Sequence, residues 1–452
     1  MNAIFFAIVV IAFAVTGWRE IRWIPPAPVA GGTEILSPMA MLAKGMIDQA
    51  SASVTLAIGL IGVMALFLGL MKVAEAGGLL VIIARTIRPL MTRLFPDVPP
   101  DHPAMGAMIL NFSANVLGLG NAATPFGIRA MQELDRINPH PGTASNAMVL
   151  FLAINTSSIT LLPTGVIALR AAAGSVDPAA IVPTTLFATI CSTAVAIFAA
   201  KLYQRFSALP ATADMAGHTP ITRDAPSAGD SDPAQDPVAE LPAVSASDIA
   251  AAYPTWVSVV VLGSIVALVP VTILWGRAIS PWIIPGLMVA LLAFGWARRV
   301  PVYEAFVEGA KDGFNVAIRI IPYLIAILVA IAMLRASGTL EMFVRAVGPF
   351  TGAVGLPAEA LPMALLRPLS GSGAYGLLAS VINDPNVGPD SYAGILVSTL
   401  QGSTETTFYV LAVYFGAVQI RRVRHALAAG LTADLAGIAA AVGICLALYG
   451  TR

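Results

Sequence analysis

Residues 103–135 read PAMGAMILNFSANVLGLGNAATPFGIRAMQELD, and the reading of this stretch decides the fold. It lies in a chain that is 57% hydrophobic and only 11% charged, against about 25% charged for soluble domains. Yet its centre is crowded with small and polar residues: Asn111, Ser113, Asn115, Gly118, Gly120, Asn121, Thr124, Pro125 and Gly127. Glycine and proline interrupt helical hydrogen bonding, and asparagine or serine in hydrocarbon must find partners. Such backbone is tolerated at membrane depth only where protein buries it or water lines it. A second stretch of this kind, residues 361–383, reads LPMALLRPLSGSGAYGLLASVIN. Interrupted segments in corresponding positions of two halves point to a binding site built from repeats.

The remaining composition narrows the class. The 452 residues carry 25 basic and 25 acidic side chains, a net charge of zero that argues against a nucleic-acid partner. A mean hydropathy of +0.82 marks a polytopic membrane protein whose surroundings are the lipid bilayer. Cys191 and Cys445 sit in apolar runs and are expected to pack rather than pair. His102, His140, His218 and His425 have no ligand spacing, so no metal site is expected.

Along the chain, residues 3–18 read as a retained spanning helix rather than a signal peptide, and 36–50 as an interfacial helix. Residues 53–72 form a clear span and 77–95 an amphipathic helix carrying Arg85, Arg88 and Arg93. The run 144–171 is broken at Asn155-Thr156-Ser157-Ser158 and again at Pro163-Thr164-Gly165. Another span, 179–203, ends at Lys201. Residues 207–250 are rich in Ala, Pro, Asp and Ser and read as a disordered cytoplasmic linker. Beyond it, 255–275 and 281–297 read as two spans, 301–314 and 339–355 as amphipathic helices, and 316–335 as a span. The run 391–417 is broken at Gln401-Gly402-Ser403-Thr404-Glu405-Thr406-Thr407, and 425–449 is the last span.

The halves match in order. Gly17-Trp18 corresponds to Gly295-Trp296, Pro89 to Pro349, Pro103 to Pro362 and Ser113 to Ser372. Asn155 to Thr160 falls on Gln401 to Thr406. Lys201 and Arg205 follow the last span of the first half, whereas Arg421, Arg422 and Arg424 precede that of the second. If positive flanks lie inside, the second copy is inverted, with 255–275 supplying the odd crossing.

The stretch from Asp97 to Leu134 (DVPPDHPAMGAMILNFSANVLGLGNAATPFGIRAMQEL) resembles the spore maturation protein A family. RPLSGSGAYG at 367–376 and STLQGSTETTFYVLAVYFGAV at 398–418 resemble the spore maturation protein B family. The chain thus looks like a fusion: an A-like repeat over 1–206, the linker 207–250, and a B-like repeat over 251–452. Both families are grouped with the nucleoside-recognition, or Gate, domains, which also occur in concentrative nucleoside transporters and in the ferrous-iron transport protein B. The resemblance implies an all-α integral membrane protein of the bacterial cytoplasmic (inner) membrane. It also implies two inverted-topology repeats with re-entrant or broken helices and interfacial amphipathic helices.

The residues that carry chemistry follow from burial cost. Glu405 lies inside an apolar run, where an ionisable residue costs about 2.5–3.5 kcal/mol on insertion scales and marks a functional site by default. It suits cation binding, hydrogen bonding to a substrate or proton carriage, or else an ion pair with Arg367. Arg367 has a planar fork suited to a carboxylate or phosphate. Asn111, Ser113, Asn115 and Asn121 in the first half, with Ser370 and Ser372 in the second, are neutral hydrogen-bonding groups that together suit a small polar ligand. Asn155 and Ser157 mirror Gln401, Ser403 and Thr404 from the broken helices. For each of these, small-residue helix packing is the competing reading. Asp434 is a lone acid in the last span. GLG at 118–120 has no βαβ context, and the serines lack a histidine at usable spacing, so no enzyme is expected. No cofactor is implied beyond a coupling ion, H+ or Na+. The leading function is secondary transport of a small polar solute, nucleoside-like by resemblance or an organic anion by Arg367, by alternating access. The alternative is a non-transporting membrane sensor or scaffold of envelope physiology. A homodimer is compatible with the charge-poor exterior.

Overall fold

The computed structural model describes residues 2–24, 36–118, 120–157, 160–207, 253–319 and 321–450. The linker read at 207–250 lies outside the described residues apart from Ser207. Within the described residues the chain is all helical, with one isolated β-bridge between Thr143 and Arg422. The first half comprises α1 (Asn2–Ile21), α2 (Pro38–Ala76), α3 (Leu79–Leu94), α4 (Pro103–Val116), α5 (Gly120–Arg136), α6 (Asn146–Ser157) and α7 (Thr164–Ala172). A 3-10 turn, Pro178–Ile181, then leads into α8 (Val182–Tyr203). The second half begins with α9 (Thr255–Ala297), α10 (Val302–Arg319), α11 (Ile321–Ala336) and α12 (Thr339–Gly352). It continues through α13 (Leu361–Leu366), α14 (Gly371–Ile382), α15 (Tyr392–Ser403), α16 (Thr407–Ala417) and α17 (Ala426–Tyr449).

Helix starts follow local chemistry. Ser37 accepts from the Ala40 N–H with Pro38 as the first helical residue of α2, and Ser391 accepts from the Gly394 N–H at α15. One expectation needs correction: the interfacial helix at 36–50 and the span at 53–72 are a single helix, α2, of 39 residues, ~58 Å long. The junction at Ser51–Ser53 contains no glycine or proline, and Ser53 Oγ donates back to the Gln49 carbonyl at 2.6 Å, so nothing stops the helix.

Residues 255–297 are helical throughout, but they do not run straight. The Tyr253 N–H donates to the Arg85 carbonyl, and Arg298 Nε donates to the Gly77 carbonyl at 2.9 Å. Those anchors are close neighbours on and beside α3, whereas a straight helix of 43 residues would span ~64 Å. The segment therefore doubles back, and Pro270, Pro281 and Pro285 lie where it must do so. Two antiparallel limbs result, as the separate runs 255–275 and 281–297 suggested.

Equivalent helices of the two halves pack antiparallel, as inverted repeats require. Along α2, Gly45 lies beside Ala336, Ala65 beside Gly313, Gly69 beside Phe306 and Gly77 beside Phe294. Along α8 and the 3-10 turn before it, the Ala180 carbonyl accepts from Tyr449 Oη, Ser192 Oγ donates to the Ala433 carbonyl, and Tyr203 pairs with Thr432. The ends repeat the symmetry: Arg19 Nη1 donates to the Ser337 carbonyl, and Arg298 does the same for Gly77. Each arginine also lies against a left-handed glycine, Gly338 and Gly78 respectively.

The α2–α10 contact depends on glycine. A Cβ on Gly313 would stand 2.6 Å from Ala65 Cα, and one on Gly309 2.5 Å from the Leu68 carbonyl oxygen. Small residues let membrane helices approach closely. Gly313→Val is expected to lower stability by about 1–3 kcal/mol, read as a lower Tm of the detergent-purified protein with its expression retained.

Among the described residues, three stretches are long and apolar enough to cross a membrane: Pro38–Ala76, Pro178–Tyr203 and Ala426–Tyr449. Phe6, Phe13, Phe198, Trp256 and Trp296 are exposed on the outside, as expected of side chains that face lipid. This is an all-α membrane protein. Both main apolar cores mix the halves. One joins Phe112, Phe126 and Phe151 to Tyr414 and Phe415; the other joins Val166, Ile167 and Leu169 to Leu377, Leu378 and Leu396. Each hairpin therefore packs on the broken helix of the opposite half.

Candidate functional site

Four helix breaks converge. In the first half, α4 ends at Val116 and the chain turns through Gly118 at φ +73° before α5. A side chain at Gly118 would be strained by that φ, and its Cβ would lie 3.0 Å from the Leu162 carbonyl oxygen. In the second half, α13 ends at Leu366, and Ser370 caps α14 by accepting from the Gly373 N–H at 3.0 Å. Each broken helix bonds to the hairpin break of its own half: Leu161 N–H to Val116 carbonyl, and Phe408 N–H to Pro368 carbonyl, both at 3.1 Å. The two broken helices then join each other, with the Glu405 N–H donating to the Thr156 carbonyl at 2.8 Å.

The second half supplies the charge at this junction. Arg367 is buried; Nη1 donates to Thr406 Oγ1 at 3.1 Å and Nη2 to the Thr404 carbonyl. The same Nη2 lies 3.6 Å from Glu405 Oε2. Arg367 thus clasps the unwound segment between α15 and α16, while its Nε has no partner. The Glu405 side chain remains 42% exposed, although Ser403, Thr404 and Thr406 around it are buried. In the sequence correspondence of the halves, Met108 and Ile159 align with Arg367 and Glu405. The scaffold is symmetric and the charge is not.

The first half supplies amides. Asn115 Nδ2 donates to Asn155 Oδ1 at 2.9 Å, joining hairpin to broken helix, and Asn155 Nδ2 donates to the Phe151 carbonyl. Asn111 is fully buried, donating to the Ala123 carbonyl and to Tyr414 Oη, with Oδ1 unpartnered. Ser113, Ser157 and Ser403 return their hydroxyls to the helix carbonyls of Ile109, Ile154 and Leu400 and do not reach an accessible surface. Gln401 is buried without a hydrogen bond of ordinary geometry, near Tyr375. Ser372 is partly exposed on the first turn of α14. The Asn121 side chain lies outside those described.

Sequence reasoning passed over Tyr375, Phe408 and Arg170. Tyr375 and Phe408 are 37% and 41% exposed at the convergence, and the Tyr375 hydroxyl reaches across the halves to lie against Gly165. Their position next to the breaks was the available signal. Arg170 closes one end of the interface between halves by pairing with Asp390 at 2.9 Å. At the other end Arg424 donates to the Ala144 carbonyl and to Asn146 Oδ1.

Comparison with known proteins agrees with this architecture. The family described as nucleoside recognition (Gate) matches residues 57–173 and 317–421, one match in each half. Spore maturation protein B of Bacillus subtilis (strain 168) is 47% identical over 168 residues, covering 37% of this chain and 93% of that protein. Spore maturation protein A of the same organism is 49% identical over 149 residues, covering 33% of this chain and 76% of that protein. The two relatives match different parts of the chain, consistent with an A/B fusion. No solved structure matches.

Proposed function

Since the chain belongs to the spore maturation family of nucleoside-recognition membrane proteins, we propose that it is a multi-pass transporter of a small polar solute in the bacterial cytoplasmic membrane. Its repeats, residues 1–206 and 251–452, rock against each other to give alternating access. The observation that carries this reading is Glu405, a half-exposed carboxylate where four helix breaks meet. An ionisable side chain within an otherwise apolar run is costly to keep without a use.

The chemistry favours a hydrogen-bond donor as ligand. Arg367 is already committed to Thr404, Thr406 and Glu405, so it is poorly placed to take an organic anion. Glu405 accepts from hydroxyl and amino groups, and Tyr375 and Phe408 offer aromatic faces beside it. A nucleoside-like solute has both features. The sensor or scaffold reading is favoured by the burial of Asn111, Ser113 and Ser157, whose donors are spent on protein groups.

The test is thermal stability of the purified protein against nucleosides, nucleobases and dicarboxylates, followed by uptake into proteoliposomes. A ligand at a hundredfold excess over Kd stabilises by about 2.7 kcal/mol. Glu405→Gln is expected to abolish both the Tm shift and uptake while membrane insertion is retained. Normal uptake in that variant would sink the assignment.

A further inference from the structure

Asp434 lies in the middle of α17, 3% exposed. Its Oδ2 accepts from Thr407 Oγ1 at 2.7 Å, and its Oδ1 has no partner. It belongs to none of the ion pairs found among the described residues. One helix turn before it stands Gly430, and one turn after it Gly437, on the same face. Both glycines are required by what packs there. A Cβ on Gly430 would lie 2.8 Å from Thr407 Cγ2, and one on Gly437 2.8 Å from Thr404 Cγ2 and 3.4 Å from Ser192 Oγ. This bare strip of α17 presents the acid directly to the unwound segment between α15 and α16.

Hydroxyl residues surround the strip. Thr156 Oγ1 of α6 and Ser192 Oγ of α8 adjoin it, each donating its proton to a helix carbonyl and keeping its lone pairs, and Thr404 and Thr407 of the break pack their methyls against it. Of charged groups, Arg367 is the one that acts on Asp434, and its guanidinium is turned toward Thr404, Thr406 and Glu405. A buried carboxylate with a free oxygen, set against unwound backbone and hydroxyls, is the arrangement by which broken helices hold small cations.

We infer that Asp434 and Thr407 form a binding site for a monovalent cation, Na+ or a proton, behind the solute surface at Glu405. As the seat of a coupling ion this rests on the transport reading. As a cation site it stands on the free oxygen of buried Asp434, its bond from Thr407 and the glycine strip that exposes it to the break, whether or not the chain transports. Occupation neutralises Asp434 and fixes Thr407, the first residue of α16, and thereby the backbone that presents Glu405.

The test reads binding, not uptake. Full-length protein in nanodiscs is melted in NaCl and in choline chloride, and its protonated-carboxyl infrared band is followed through a pH titration. Asp434→Asn keeps the shape and the acceptor for Thr407; Thr407→Val removes only the hydroxyl. A Na+-specific rise in Tm that is lost in Asp434→Asn and reduced in Thr407→Val assigns sodium. A carboxyl band that titrates in the native protein and disappears in Asp434→Asn assigns the proton. Absence of both signals in the native protein overturns the site. Should Asp434→Asn fail to fold, Thr407→Val carries the sodium comparison through a reduced Tm rise and the proton comparison through a shifted midpoint of the carboxyl band, since it removes the hydrogen bond to Asp434 Oδ2. Failure of uptake with either cation signal intact would count against transport alone.

Discussion

Arg367→Ala is expected to lose solute binding and about 3–5 kcal/mol of stability, the usual cost of removing one partner of a buried charged network. The guanidinium holds three groups of the unwound segment: the Thr406 hydroxyl, the Thr404 carbonyl and the Glu405 carboxylate. Alanine leaves the buried Thr404 carbonyl unpaired and the Glu405 carboxylate without its counter-ion. Arg367→Lys keeps the charge but cannot span the same acceptors with one ammonium, so its loss is intermediate. The double variant Arg367→Ala/Glu405→Gln gives the decisive comparison. A neutral glutamine needs no counter-ion, so the double variant is expected to melt above the single Arg367→Ala variant. If the two melt together, the ion pair is incidental and Arg367 acts through Thr404 and Thr406 alone. Melting of detergent-purified protein reads the stability, and the Tm response to the nucleoside panel reads binding.

The pattern of breaks was legible in the sequence because helix interruption is a local property. Gly118, Pro368 and the polar run at 401–407 each disrupt hydrogen bonding within a turn of themselves, and the structure breaks its helices there. The continuity of α2 was less legible. Lys44 and Asp48 made its first turns look interfacial, but polarity does not end a helix, and no residue there does. The pairing of Arg367 with Glu405 was visible as the competing reading for both residues, since two opposite charges in apolar runs seek each other. The orientation of Ser113, Ser157 and Ser403 was not visible. A serine in a helix satisfies itself on the carbonyl three or four residues back, so its type says nothing about which surface it meets. Arg170 was beyond sequence reasoning for another reason. Its partner Asp390 is 220 residues away in the other half, and only the fold brings them together.

Arg170→Ala is expected to cost as much as Arg367→Ala, although it lies away from the solute. The side chain is fully buried and all three nitrogens are engaged. Nε donates to the Pro178 carbonyl at 3.3 Å, Nη1 to the Pro389 carbonyl, and Nη2 to the Asp177 carbonyl at 3.1 Å and to Asp390 Oδ1 at 2.9 Å. Asp390 also accepts from Ser175 Oγ and from the Val176 N–H. One arginine therefore organises the end of α7, the turn before α8 and the loop before α15, which belong to different halves. Its removal strands several carbonyls in one stroke, and the expected loss is about 3–5 kcal/mol. Asp390→Asn should cost far less, because Asp390 is 40% exposed and water replaces part of what it gives. The opposite end of α8 provides the control. There the halves are held mainly by backbone bonds, with the Arg421 and Arg422 N–H groups donating to the Gly142 carbonyl and the Ala144 N–H to the Arg422 carbonyl. Arg424→Ala removes side-chain bonds to Ala144, Asn146 and Ser207 but leaves that backbone bridge intact. Its expected cost is nearer ~1–2 kcal/mol, because Arg424 is only partly buried and water replaces part of what those three hydrogen bonds give. A Tm series in which Arg170→Ala falls well below Arg424→Ala would show that the two ends are closed by unequal means. The end held by Arg170 then requires a concerted loss of its whole network to open, while the end held by backbone gives way bond by bond. Equal losses would place the weight of both closures on the backbone and leave Arg170 a packing residue.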